Sequence, residues 1–303
     1  MIKILANDGI DKSAKEKLEQ LSFEVDINHY EDAELEEAIK NCEVIIIRSA
    51  TKIRKDLIDV AIGGKLKLII RAGVGIDNID HEYAKDKGFE VRNTPHASSR
   101  AVAELAIGHM FSLSRFIGIS NVTMRNSEWN KKQYKGSEIY GKTLGLIGFG
   151  RIAKEVASRA KSLGMEVQYT NRSGHNKDFP EYDYVDLETL LKTSDFVSLH
   201  LPFKKGNPPI ITKELLLSMK DSAFLINTAR GGSVSETDLL EVLNTGHLAG
   251  VALDVYEKEP TANIDLISHP RVSATPHIGA STKEAQKRIG DETIDVIKEY
   301  FPI

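Results

Sequence analysis

Thr143-Leu144-Gly145-Leu146-Ile147-Gly148-Phe149-Gly150-Arg151-Ile152-Ala153 decides the fold. The run Thr143 to Ile147 is short, apolar and β-forming, and it leads through two closely spaced glycines into an amphipathic stretch of helical period, Ile152 to Leu163. A strand that turns this sharply into a helix needs the conformational freedom of Gly148. A pyrophosphate can come up to the backbone only where Gly150 has no side chain. Ala153 in the third position is small enough for the helix to pack closely on the strand. Strand, glycine turn and helix together predict a dinucleotide site on a parallel sheet.

Working outward, the pattern repeats in both directions. Before it, strand-like runs at 2–6, 23–27, 44–48, 66–71 and 90–93 alternate with helical stretches at 13–21, 33–40, 55–62 and 81–87. After it come strands at 166–170, 196–199, 223–227, 248–253 and 272–274, helices at 152–163, 187–192, 213–218 and 236–245, and a closing helix near 283–300. Strands separated by helix-length segments imply right-handed crossovers and parallel sheets. One long helix, Ser98 to Ile117, with apolar residues at Val102, Leu105, Ala106, Met110 and Leu113 and a serine cap at Ser98 or Ser99, separates the two series. The expected fold is therefore α/β: two doubly wound, Rossmann-like parallel-sheet domains with a ligand cleft between them.

At the end of the strand after the glycine turn, an acidic residue would bond the ribose 2′-hydroxyl and select NAD. Asn171-Arg172-Ser173 stands there instead. Asn171 can still bond a ribose hydroxyl, and Arg172 can pair with a 2′-phosphate, so NAD and NADP both stay open.

Three further residues follow strands of the second series. Arg230 lies in Asn227-Thr228-Ala229-Arg230-Gly231-Gly232, Glu259 in Asp254-Val255-Tyr256-Glu257-Lys258-Glu259-Pro260, and His277 in Thr275-Pro276-His277-Ile278-Gly279. Ligands of open parallel sheets bind at the carboxyl ends of the strands. Oxidising an alcohol to a ketone removes a hydride and a proton. Histidine is a base of suitable strength for the proton. A carboxylate beside it fixes its tautomer and stabilises the imidazolium, and a guanidinium can hold a carboxylate in bidentate fashion and polarise the neighbouring oxygen. Singly, His277 and Glu259 read as ordinary surface residues; together with Arg230 they spell hydride-transfer chemistry.

Composition narrows the alternatives. With 40 basic against 44 acidic residues the net charge is -4, so no global basic field awaits nucleic acid, and anionic ligands must be held locally. The single cysteine, Cys42, cannot form an intrachain disulfide. No apolar run reaches membrane-spanning length, and the N-terminus has no signal-peptide pattern, so a cytoplasmic location and no membrane partner are expected.

These motifs, in this order along essentially the whole chain, resemble the D-isomer-specific 2-hydroxyacid dehydrogenase family. The resemblance implies Arg230, Glu259 and His277 as the catalytic set, with His277 accepting the proton in oxidation and Glu259 as its partner. It implies a nicotinamide cofactor held by Gly148, Gly150, Arg151, Ile152, Asn171 and Arg172, with His200, Pro202, Thr228, Ala229, Asp254 and Gly279. Asp254 would lie near the nicotinamide, and His200-Leu201-Pro202 would flank the adenosine. The family's usual Thr-rich continuation is replaced by Lys204-Lys205-Gly206-Asn207. The family's first domain is discontinuous, so residues 1–97 with 283–303 are expected to bind substrate and residues 98–282 the dinucleotide. No metal is expected.

Two arginines at neighbouring strand ends, in Arg48-Ser49-Ala50-Thr51 and Arg71-Ala72-Gly73-Val74-Gly75, favour a doubly charged anion. These segments resemble D-3-phosphoglycerate dehydrogenases of serine synthesis. That likeness implies Arg48, Ser49, Arg71 and Lys131 near a 3-phosphate, and backbone donors of Gly73, Val74 and Gly75 at the carboxylate. It also implies the short form, without a serine-sensing regulatory module, and a homodimer through the second domains near Trp129. A glyoxylate or hydroxypyruvate reductase using NADPH is the nearest alternative, favoured by Asn171-Arg172-Ser173 and opposed by Arg48-Ser49-Ala50-Thr51-Lys52. A non-catalytic NAD-sensing protein is a second, opposed by the complete Arg230, Glu259 and His277 set.

Overall fold

A computed structural model describes every residue except Lys205 and Ile303. The chain divides into two compact units, Met1–Ser99 with Ala280–Ile303, and Arg100–Gly279.

The first unit alternates β1 (Lys3–Ala6), α1 (Lys12–Gln20), β2 (Glu24–Asp26), α2 (Asp32–Lys40), β3 (Val44–Ile47), α3 (Lys55–Ala61), β4 (Leu68–Arg71), α4 (His81–Asp86) and β5 (Glu90–Asn93). Its five strands are parallel in the order β2-β1-β3-β4-β5. Central strands here read as unbroken apolar runs because both faces are covered. Ile4, Val44, Ile46, Leu68 and Ile70 enter one core with the face of α1. Their neighbours Leu5, Ile45, Ile47 and Ile69 enter the other, beneath α2 and α3. The two-residue period of a strand sorts the side chains between them.

The second unit begins along α5 (Ser99–Ser114) and continues with α6 (Ile117–Arg125), β6 (Thr143–Ile147), α7 (Arg151–Ser162), β7 (Glu166–Thr170), β8 (Asp183–Tyr184), α8 (Leu187–Thr193) and β9 (Phe196–Leu199). It is completed by α9 (Lys213–Ser218), β10 (Phe224–Asn227), α10 (Glu236–Thr245), β11 (Gly250–Leu253), α11 (Ile264–Ile267) and β12 (Val272–Ala274). Seven parallel strands lie in the order β12-β11-β10-β9-β6-β7-β8. That is the doubly wound order of dinucleotide-binding sheets, with its reversal between β6 and β9. Leu144, Leu146, Val167, Tyr169 and Ile226 face one core together with α5 and α7. Ile147, Val197, Leu199, Leu225 and Val251 face the other, under α8, α9 and α10.

The long helix expected over 98–117 is broken. α5 stops at Ser114, Phe116 takes left-handed backbone (φ 57°), and α6 leaves at 64° to α5. The Ser114 carbonyl, which a continuing helix would use internally, accepts the Ser137 amide at 2.9 Å instead. No glycine or proline marks this break in the sequence. The Ser99 hydroxyl is buried without a hydrogen-bond partner, so it does not cap α5. β8, α6 and α11 were not foreseen; β8 and α11 are too short to impose a period. Among the described residues no single helix is long and apolar enough to cross a membrane.

The last helix, α12 (Lys283–Tyr300), returns to the first unit and packs on α1. Contact is closest at Gly290, where a Cβ would lie 2.6 Å from that of Ala14. Gly290→Val should therefore destabilise the protein by about 1–3 kcal/mol through overpacking. Gly108 on α5, which has open space around it, should gain up to about 1 kcal/mol on substitution by Ala. Urea unfolding midpoints of the two variants check this; a neutral Gly290→Val would contradict the α1–α12 packing.

Candidate active site

The glycine turn sits at the reversal point of the seven-stranded sheet. Gly148 has φ 93°, and any Cβ there would strike the His200 carbonyl, so β6 and β9 can approach only around a glycine. Phe149 between the glycines is buried and stacks on Tyr169 with ring centroids 3.9 Å apart, which anchors the turn to β7. Gly150 is the N-cap of α7 and offers no side-chain cap, and space is open where its Cβ would be. Arg151 is exposed and Ile152 half-buried at the start of α7. With no acidic side chain in this first turn, the helix amides and the positive end of the dipole face outward for an anion.

Two buried oxygens near this edge, Asn171 Oδ1 after β7 and Thr228 Oγ1 after β10, have no hydrogen-bond partner. Uncompensated buried acceptors are costly, and a dinucleotide's ribose and amide groups supply what they need. Arg172 is exposed beside Asn171. These features fit a bound dinucleotide. The ring of the half-buried His200 turns inward, its Nε2 2.9 Å from Ser198 Oγ, and this enclosure pushes the imidazole down to about 4. His200 therefore borders the turn through its backbone, while Pro202 is exposed beyond it. Of the segment Lys204 to Asn207, Lys205 lies outside the described residues.

At the other strand ends of the same unit the catalytic candidates meet. His277 Nδ1 lies 2.7 Å from Glu259 Oε2, and the Tyr256 amide donates to Glu259 Oε1 at 3.1 Å. Partial burial works against charge on Glu259, but the His277 hydrogen bond, the Tyr256 amide and the positive charge of Arg230 outweigh it and hold the carboxyl below its usual range. His277 has left-handed backbone (φ 54°), uncommon for a histidine and frequent where a side chain is aimed by its surroundings.

The loop carrying Arg230 is fixed from beneath. Asn227 Nδ2 and Ser233 Oγ both donate to the Arg230 carbonyl, at 2.9 and 2.6 Å, and the Ala229 amide donates to Asn227 Oδ1. Gly231 lies so close to the Tyr256 backbone that no Cβ fits between them. Asp254 is buried, and its carboxylate accepts from Thr275 Oγ1 at 2.6 Å and from the amides of Ile278 and Gly279 at 2.8 Å each. It thus fastens the turn that presents His277.

In the first unit, Arg48 leaves the end of β3 and Arg71 closes β4, where it pairs in register with Ile47. Asp8 accepts the amides of Arg48 and Thr51 at 2.6 and 3.1 Å, and Asn78 Nδ2 donates to the carbonyls of both residues at 2.7 Å. The Arg71 guanidinium lies across Gly73, where any Cβ would collide with it. Ser49 and Val74 are exposed, Gly75 is half-buried, and Lys131 of the second unit is exposed between α6 and β6. Among the described residues no cluster suits a metal ion.

Sequence reasoning missed the supporting parts of Asp8, Asn78 and Asn227, which hold the candidate loops rather than present chemistry. Only Asn227 carried a signal, as a strand-end asparagine before a glycine pair.

A dinucleotide turn on a doubly wound parallel sheet, with a paired imidazole and carboxylate at the neighbouring strand ends, defines a nicotinamide-dependent oxidoreductase. Residues 107–279 match the NAD binding domain of the D-isomer specific 2-hydroxyacid dehydrogenases. Over 299 residues the chain is 45% identical to the hydroxypyruvate reductase of Thermotoga maritima, covering 97% of each protein. It is 41% identical to the D-3-phosphoglycerate dehydrogenase of Methanocaldococcus jannaschii over 99% of this chain, and spans 58% of that relative's length. A solved acyclic imino acid reductase in complex with NADPH and D-Arg superposes with a TM-score of 0.89 at 31% identity, covering 99% of this chain and 97% of that one. The chain belongs to the D-isomer specific 2-hydroxyacid dehydrogenase family, and its cofactor is a nicotinamide dinucleotide.

The enclosed His200 makes stability depend on pH. An unfolded histidine takes up its proton near 6.5, whereas His200 in the fold resists until about 4. The unfolded state therefore binds more protons in that window, and stability falls as pH drops from about 6.5 towards 4. Burial lowers His109 as well, and acts in the same direction. Denaturation midpoints across this range should decline less steeply for His200→Gln than for wild type; equal slopes would contradict the assignment.

Proposed function

We propose that the chain interconverts D-3-phosphoglycerate and 3-phosphohydroxypyruvate. A nicotinamide dinucleotide held at Gly148, Gly150 and Asn171 would supply the acceptor for the C2 hydride. His277 accepts the hydroxyl proton, and Glu259 holds the ring and offsets the charge it gains. Arg230 grips the α-carboxylate and polarises the C2 oxygen. In this reading Arg48, Ser49, Arg71 and Lys131 receive the 3-phosphate, and the backbone amides of Gly73, Val74 and Gly75 receive the carboxylate. What supports the phosphorylated substrate is the pair of arginines at adjoining strand ends, β3 and β4, with the Arg48 loop clamped between Asp8 and Asn78.

A second reading is reduction of hydroxypyruvate with NADPH. It is favoured by the 45% identity to the Thermotoga maritima enzyme and by an exposed Arg172 in place of an acid at the ribose position. Arg172 would pair with a 2′-phosphate and Asn171 with the ribose.

Initial rates with 3-phosphohydroxypyruvate, hydroxypyruvate and glyoxylate, each with NADH and NADPH, separate the readings. Arg71→Ala is expected to lower kcat/KM for the phosphorylated substrate by about 10–100-fold, the worth of one hydrogen-bonded charge contact, and to leave glyoxylate within about threefold. Equal losses on both would remove the phosphate site. His277→Asn should cost about 10²–10⁴-fold in kcat on every substrate.

A further inference from the structure

Behind the catalytic turn lies a buried polar chain that the reaction does not use directly. His109 on α5 is 3% exposed. Its Nδ1 lies 3.0 Å from Ser273 Oγ on β12, and its Nε2 lies 3.1 Å from Thr275 Oγ1 just beyond that strand. Ser112, one helical turn along α5, stands 3.1 Å from Ser273 Oγ. Thr275 Oγ1 donates to Asp254 Oδ1, and Asp254 in turn accepts the amides of Ile278 and Gly279, the two residues after His277.

The protons in this chain are ordered by elimination. An ionised carboxylate only accepts, so Thr275 spends its single hydroxyl proton on Asp254 and offers His109 a lone pair. His109 Nε2 must then carry a hydrogen. Burial, although opposed by the Asp254 charge, lowers the affinity of His109 for a second proton, which leaves Nδ1 without a hydrogen, facing the Ser273 hydroxyl, whose other neighbour is Ser112 Oγ. The Nε2 end of the ring thus meets a group of the complementary kind. An apolar residue would fill the same core volume but leave the Thr275 oxygen without its donor.

We propose that His109 is a positioning residue for hydride transfer, holding Thr275 and Asp254 in the arrangement that fastens the Ile278 and Gly279 amides and so aims His277 at its proton. Val102 of α5 also reaches this turn, 3.3 Å from where a Cβ on Gly279 would stand. The helix therefore braces the turn by packing at one point and by hydrogen bonding at the other. The inference rests on His277 being the proton acceptor proposed above.

The test compares wild type, His109→Leu and His109→Gln by steady-state reduction of 3-phosphohydroxypyruvate and hydroxypyruvate with NADPH, and by amide hydrogen exchange at Ile278 and Gly279 without substrate. A turn loosened by a fraction of an ångström should lower kcat in His109→Leu by about 10–100-fold, with the KM for NADPH within about twofold of wild type. Both amides should exchange at least about tenfold faster, as in a local opening. In His109→Gln the side-chain amide can donate to Thr275 in place of Nε2, so most of the turnover and the protection should return. Should His109→Leu not fold, Thr275→Val cuts the next link at nearly constant volume and is expected to show the same pair of effects. A kcat within twofold of wild type, or unchanged exchange at the two amides, overturns the inference. His277→Asn is the separating control: undiminished kcat there would refute the assigned base, whereas the exchange measurement would still report on the His109 chain.

Discussion

A parallel sheet releases all its strands at one edge, and in the second unit everything chemical depends on that constraint. β6, β7, β9, β10, β11 and β12 end in turn at Gly148, Asn171, His200, Thr228, Asp254 and Thr275. Segments scattered over more than a hundred residues of sequence become neighbours without any device beyond strand order. Hydrophobic sorting of alternate side chains into two cores fixes the register, so a one-residue slip would exchange the two faces of a strand and is strongly disfavoured. The loops can then carry polar and strained geometry, including the left-handed backbone at His277, on a scaffold that does not yield.

Electrostatics at this edge divides the carboxylates by task. Asp254 is buried and fully engaged by a hydroxyl and two amides, a structural anion whose solvation the protein has replaced. Glu259 is partly exposed, and holds its charge through His277, Tyr256 and Arg230. The first anchors a turn; in the proposed chemistry the second orients the base. Asp254 was expected near the nicotinamide; its hydrogen bonds give it a definite part in holding the Thr275–Gly279 segment.

Much of this was legible in the sequence because it follows from periodicity and from glycine. Strands such as Val44–Ile47 and Thr143–Ile147 announce themselves as apolar runs between turn residues, and Gly148 is required by a carbonyl that no side chain could share space with. The motifs around Arg230, Glu259 and His277 were readable as chemistry. Their supports were not. His109 sits on the buried face of an apolar helix, where periodicity suggests plain core, and only the fold shows that Ser273 and Thr275 come to meet it. Asp8 clamps a loop forty residues away in sequence. The break at Phe116, where the Ser137 amide takes up the Ser114 carbonyl, likewise involves a contact distant in sequence.

The proposed chemistry requires that Glu259, as an ionised acceptor, accept a hydrogen bond from His277 Nδ1 and leave Nε2 with its lone pair free for the substrate. The most direct measurement is ¹⁵N NMR of the His277 imidazole in the neutral form, in wild type and in Glu259→Gln. A protonated Nδ1 and an unprotonated Nε2 are expected in wild type, with that preference weakened in the variant. A wild-type ring protonated at Nε2, or a tautomer indifferent to loss of the carboxylate, would contradict it.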